Sequence, residues 1–191
     1  MIFNMAETTK PTFNKFIPTT VFDLKIYDKG IKVEDDTDAL ATIDSLKIAN
    51  FTQEGPTKTA RGGKNNAILA RYGKETRLEM EDAIVNVKVL QHLMGAEIGE
   101  DGEIQIKDTF PETVKLEGTT FFIDPDTGKK IQAKFTVPNF VPDGLFNLTM
   151  EAEGDFGVIE IGGEVIADDC GNFYTIKTDG DYVCKKEEAA E

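Results

Sequence analysis

The chain has 191 residues, enough for one sizeable domain, and its 40% hydrophobic and 29% charged content is that of a globular protein, not a disordered one. Acidic residues number 35 against 21 basic ones, giving a net charge of -14 and a pI near 4.5. A surface this acidic repels nucleic acid and anionic membranes at long range, which excludes general nucleic-acid binding unless the sparse basic residues collect on one face.

Cys170 and Cys184 are the only cysteines, without a CxxC spacing, and read as two reduced thiols of a cytosolic protein. The first residues, MIFNMAETTKPTF, lack the apolar core of a signal peptide, and no apolar run is long enough for a membrane helix.

Residues 1–18 combine Pro11 and Pro18 with isolated Phe3, Phe13 and Phe16 and read as an extended arm whose aromatics need a surface to land on. A single domain is expected over 19–180. TTVFDLKIYD (19–28) and TIDSLKIANF (42–51) read as strands, with the acidic 32–40 segment a solvated loop between them. Residues 55–74 read as a long loop, and 77–80 as extended. Over 81–97 the apolar period changes to Ala83, Val87, Leu90 and Met94. That spacing predicts one amphipathic helix over about 81–95, with acids at its start and Gly95 after its end. From Gly99 onward, runs at 103–107, 112–124, 129–138, 145–154, 158–168 and 172–178 read as short strands between turns. Residues 181–191 read as a tail. The expected fold is mainly β, a sandwich or barrel-like protomer with one flanking helix.

The apparent motifs of chemistry fail on spacing. TARGGKNNAILARYGKE (59–75) has the look of a phosphate loop, but Lys58 stands where GxxxxGK[ST] needs its first glycine and Asn65 where it needs Ser or Thr. DPDTGKK has calcium-loop acids at Asp124 and Asp126, yet Phe135 occupies the twelfth position, so a hairpin turn explains it with less. The EDDTD run (34–38) reads as a solvated loop. His92 is the single histidine and reads as a boundary residue of the helix, and neither cysteine has a basic partner in sequence. No catalytic group, metal or cofactor is expected, and the chain reads as a non-enzyme.

The order of parts resembles the major tail tube proteins of long-tailed, siphovirus-like bacteriophages. The resemblance rests on Gly62–Gly63, Asn66, Tyr72–Gly73–Lys74, Glu79 and Glu81–Asp82–Ala83 entering the helix, and on GEVIADDCGNFYTIK (163–177) as a closing hairpin. It implies a structural virion protein, assembled in the host cytoplasm. Six copies would close into a ring, and stacked rings would form the tail tube that conducts DNA without binding it. Partners implied are the chain itself and other tail proteins (terminator, distal tail and tape measure), with no membrane. Arg61, Gly62, Gly63, Lys64, Arg71 and Lys74 would then form an inter-ring stacking loop, the glycines permitting close approach and the cations setting register on an acidic neighbour. Phe3, Phe13 and Phe16 would pack on an adjacent copy. Glu117, Glu151, Glu153, Glu160 and Glu164 are outward candidates for the lumen. Contractile tails, flexible tails and tailocin-like tubes share these features. The competing reading is a β-sandwich module that binds carbohydrate or decorates a capsid through Phe121, Phe122, Phe135, Phe140 and Tyr174.

Overall fold

Alternation of apolar and polar residues organises most of the molecule. The computed structural model describes residues 17–29, 38–44, 46–55, 57–61, 67–71, 73–82, 86–148 and 159–178. In chain order the elements are β1 (Ile17–Asp28), β2 (Ala41–Ile43), β3 (Leu46–Glu54), β4 (Thr57–Arg61), β5 (Ala67–Arg71) and β6 (Glu75–Asp82). Then follow the helix α1 (Val87–Met94), β7 (Ala96–Ile98), β8 (Ile104–Ile106), β9 (Val114–Ile123), β10 (Lys130–Leu148), β11 (Ile159–Val165) and β12 (Thr175–Lys177). The mainly β expectation holds. The main sheet is antiparallel and runs β2-β1-β9-β10-β11-β6-β3, with β12 beside β10. Because β1 also packs against β3, the sheet curls back on itself around one core.

That core takes Leu24 and Ile26 from β1, Leu78 and Met80 from β6, Leu116 from β9, Phe135, Val137 and Phe140 from β10, and Ile159 and Ile161 from β11. Strand β10 holds the sheet together. It pairs with β9 over Lys130–Phe140, while its other edge meets β12 at Lys134–Thr136 and then β11 at Phe140–Leu148. Pro138 and Pro142 fall at its register shifts, where the ladder does not require their missing N–H. Phe140 is fully buried and lies over Gly163 of β11. A Cβ added there would stand 2.5 Å from the Val141 carbonyl oxygen and 2.6 Å from the Phe140 ring.

The helix is shorter than the sequence pattern indicates. Glu75–Asp82 alternates strictly, with Thr76, Leu78, Met80 and Asp82 inward and Glu75, Arg77 and Glu79 outward, so Glu81 and Asp82 end a strand. No acid occupies the first turn of α1. Its cap is Asn86, whose side chain accepts the Lys88 N–H at 3.0 Å and donates to the Thr42 carbonyl at 3.3 Å. Gly95 ends it in the left-handed region, φ 66°, returning its N–H to the Leu90 carbonyl. Val89, Leu90, Leu93 and Met94 face the core, and α1 covers β10 and β2.

Other expectations are corrected. TIDSLKIANF divides into β2 and β3, which pair with β1 and β6 respectively. Segments 129–138 and 145–148 belong to the one strand β10. The 55–74 segment contains a paired ribbon, β4 with β5, rather than loop alone. DPDTG is a hairpin turn closed by Asp124, which accepts from the Asp126 N–H and the Thr127 hydroxyl, at 2.9 and 2.6 Å. These bonds, Thr127 first, hold the Asp124 carboxyl below its ordinary pKa. Cys170 is disulfide-bonded, not a free thiol; the chain's other cysteine, Cys184, lies outside the described residues. Pairing depends on where the fold brings two Cβ atoms, which spacing along the chain does not reveal.

Gly163→Ala is expected to lower unfolding free energy by about 1–3 kcal/mol through overpacking. Gly73→Ala, with nothing within 4 Å of the added carbon, should change it by less than about 0.5 kcal/mol. Urea denaturation of both variants checks the contrast.

Candidate assembly interface

The outward face of the sheet is divided by charge. Along β3, β6 and β11 the registers place Thr52 beside Arg77 and Arg77 beside Glu164, then Asn50 beside Glu79, then Glu81 beside Glu160. Glu54, Glu75, Glu79, Glu160 and Glu164 are exposed and Glu81 is half-buried, so this half of the surface is a carboxylate array. Arg77 is its one cation among the outward residues of β6 and β11. It reaches over Gly162 to an ion pair with Asp143 of β10 and lies 3.4 Å from Glu79. The hydrogen bond that Arg77 donates to Asp143 chiefly, despite some desolvation, raises the guanidinium pKa further. A cleft of about 720 Å³ lies along this array, bordered by Asn50, Glu79, Glu81, Glu160, Asp143 and Leu145.

On β1, β9 and β10 the outward residues are different. Lys25 pairs in register with Glu117, and Glu117 with Thr136. Glu117 is only 5% exposed. Lys115 Nζ is 2.7 Å from one of its carboxylate oxygens, and Lys134 Nζ 2.9 Å from the other, at ion-pair distance without hydrogen-bond angles. The expectation of an outward, open Glu117 is therefore corrected: two lysine stems cover it, and it neutralises them instead of presenting charge.

Two ribbons stand apart from the main sheet, β4–β5 and β7–β8. Arg61 and Arg71 lie at the β4–β5 ladder, opposite Ala67 and Thr57, and Lys74 is exposed at the start of the return to β6. Gly62, Gly63 and Lys64 lie outside the described residues, as do Phe3, Phe13, Phe16, Glu151, Glu153 and residues 34–37. Glu160 and Glu164 are exposed on β11 in the acidic array. The sequence reading placed β8 within 103–107 but missed its partner β7, and it missed Phe110, which is 86% exposed. The IGEDGEIQI stretch, with alternation around a glycine turn, is the signal that could have found the ribbon.

The aromatic platform of a binding module is absent among the described residues. Phe122, Phe135 and Phe140 are buried, Phe121 stacks on Phe22 at 5.0 Å, and Tyr174 packs on Phe51 at 4.8 Å. His92 is partly buried on α1; desolvation lowers its pKa below the ordinary imidazole value, Asp28 pulling the other way and Lys88 adding to the effect.

A model of the YomU/Tube protein family matches residues 103–176, which is under half of the chain and spans β8 to β12. That match supports a structural, tube-type protein. No curated protein sequence matches the chain. Among solved structures, the anti-feeding prophage cap (the tube-terminating cap) is 12% identical with a TM-score of 0.48, over 92% of this chain and 100% of that one. The sheath–tube complex of an extracellular contractile injection system in its extended state is 12% identical with a TM-score of 0.45, over 85% and 93%. The anti-feeding prophage baseplate is 10% identical with a TM-score of 0.39, over 81% and 91%.

Glu117→Gln should cost about 1–3 kcal/mol, because Lys115, largely covered, and Lys134, about a third exposed, lose the carboxylate that neutralises them; thermal or urea unfolding measures it. For His92, an imidazole pKa below its unfolded value means that the unfolded state takes up the proton first. Stability contributed at neutral pH is then lost as pH falls below the ordinary imidazole value toward the lower folded one. Titration of the His92 ring by NMR should show the depressed midpoint, and His92→Gln should flatten that part of the stability profile.

Proposed function

We propose that this protein is the repeating subunit of a tail tube: a non-enzymatic building block whose copies close into hexameric rings that stack into a hollow conduit for DNA. The single observation that carries the reading is the match of β8–β12 to a tube family, taken with the sheet those strands build. In this reading the carboxylate array on β3, β6 and β11 lines the bore, with Glu160 and Glu164 as lumen residues. Negative walls keep a polyanion from adhering as it passes. Ring closure also covers strand edges that would otherwise pair indiscriminately.

The β4–β5 ribbon is the stacking element, with Arg61, Gly62, Gly63, Lys64, Arg71 and Lys74 meeting the neighbouring ring, and the N-terminal arm seats Phe3, Phe13 and Phe16 on an adjacent copy. The tube joins terminator, distal tail and tape-measure proteins in a virion tail assembled in the host cytoplasm. The sequence resemblance is to siphovirus-like tails, and contractile and tailocin-like tubes share the features it rests on.

Concentrated wild-type protein should form tubes under negative stain, with Glu160 and Glu164 facing the bore in a reconstruction. Deletion of 56–72 should leave soluble protein that forms no tubes. Normal tubes from that deletion variant overturn the stacking role, and wild-type protein that stays monomeric in light scattering at every concentration overturns the tube.

A further inference from the structure

The β7–β8 ribbon is amphipathic and acidic at once. Ile98 pairs with Ile104 and Ala96 with Ile106, so the three isoleucines share one face, and they are 43–48% exposed. Glu97 and Gln105 share the other. Residues 96–108 hold Glu97, Glu100, Asp101, Glu103 and Asp108 against Lys107 alone, and Lys107 is already ion-paired with Glu97. The Gly99–Glu103 turn, closed by Gly99 N–H to the Glu103 carbonyl at 2.8 Å, thus presents carboxylates at the ribbon's tip. Phe110, four residues after β8, is 86% exposed.

The β4–β5 ribbon has the opposite charge. Residues 57–74 contain Lys58, Arg61, Lys64, Arg71 and Lys74 and no acid at all, in a chain of net charge -14. Both ribbons are two-stranded and neither joins the main sheet's ladder. Such a ribbon is marginal by itself and gains from a surface to pack against.

We propose that the β7–β8 ribbon of one copy is the receiving surface for the β4–β5 ribbon of the next. The contact is heterologous, each copy offering a cationic ribbon to one neighbour and an acidic, isoleucine-faced ribbon to the other. Charge opposition gives direction and register, because acidic–acidic or basic–basic juxtaposition is repelled. The isoleucine face supplies apolar contact once the ribbons meet. This rests on the tube reading above and names the partner surface of its stacking element.

The test uses full-length chain and two charge-reversed variants, E100K/D101K/E103K and R61E/R71E/K74E, each verified as folded by circular dichroism. Neither variant alone should give sedimentable assemblies under conditions where wild-type protein does. An equal mixture should recover them, since the reversed ribbon of one variant is opposite in charge to the reversed ribbon of the other and their unaltered ribbons still match. Wild-type assembly should also weaken as ionic strength rises. If either variant alone assembles like wild type, or if the mixture stays unassembled while wild type forms tubes, the ribbon pairing is wrong and the tube reading stands. If wild-type protein never assembles, both fall together.

Discussion

Phe140 seated on Gly163 is the contact around which the rest of the sheet is arranged. Phe140 sits where β10 faces Val114 of β9 on one side and Val165 of β11 on the other. Only a residue without a side chain lets the ring close over the β11 backbone. From this point β10 runs one way into the β1–β9 half and the other way into the β11–β6–β3 half, so one strand carries both halves of the curled sheet. The helix then covers the core with a single face, capped at one end by Asn86 and at the other by Gly95.

The same curl separates charge. With one face of every strand committed to the core, polar residues have only the outside to occupy, and their sign varies by strand. On β6 and β11 they are mostly glutamates, moderated by Arg77 in its pair with Asp143. On β1, β9 and β10 lysines gather around the covered Glu117. The two ribbons carry the extremes, one without acids and one with a surplus of them. A protein with a uniform acidic coat would repel its own copies; one that concentrates its cations in a ribbon retains a directional point of attraction.

Much of this was legible in the chain itself. The strand readings located β1, β9, β11 and the 77–80 part of β6, and the DPDTG turn announced the hairpin of β9 with β10. ADDCGN, read as the turn of a closing hairpin, instead joins β11 to β12, which lie along the same edge of β10 without pairing with each other. The 3.6-residue period correctly found α1 but began it too early, because Glu79 and Glu81–Asp82 look like helix-opening acids while their alternation with Leu78 and Met80 is a strand's. Glu117 is the clearest failure at the candidate surface. Its neighbours in sequence are Leu116 and Gly118, and nothing there shows that Lys134, seventeen positions away, will lie over it.

By itself the sequence determined the class of fold, the strongly acidic balance, the position of the one helix and the isolation of basic residues in 57–74, since all of these depend on local spacing and composition. Tertiary structure decided which glutamates face solvent, that β2 and β3 go to opposite ends of the sheet, that Cys170 is bonded, and that residues 96–106 form a ribbon with isoleucines on one face. Those outcomes depend on which strands become neighbours, and neighbour choice is set by closing one core over the whole chain rather than by any short stretch of it.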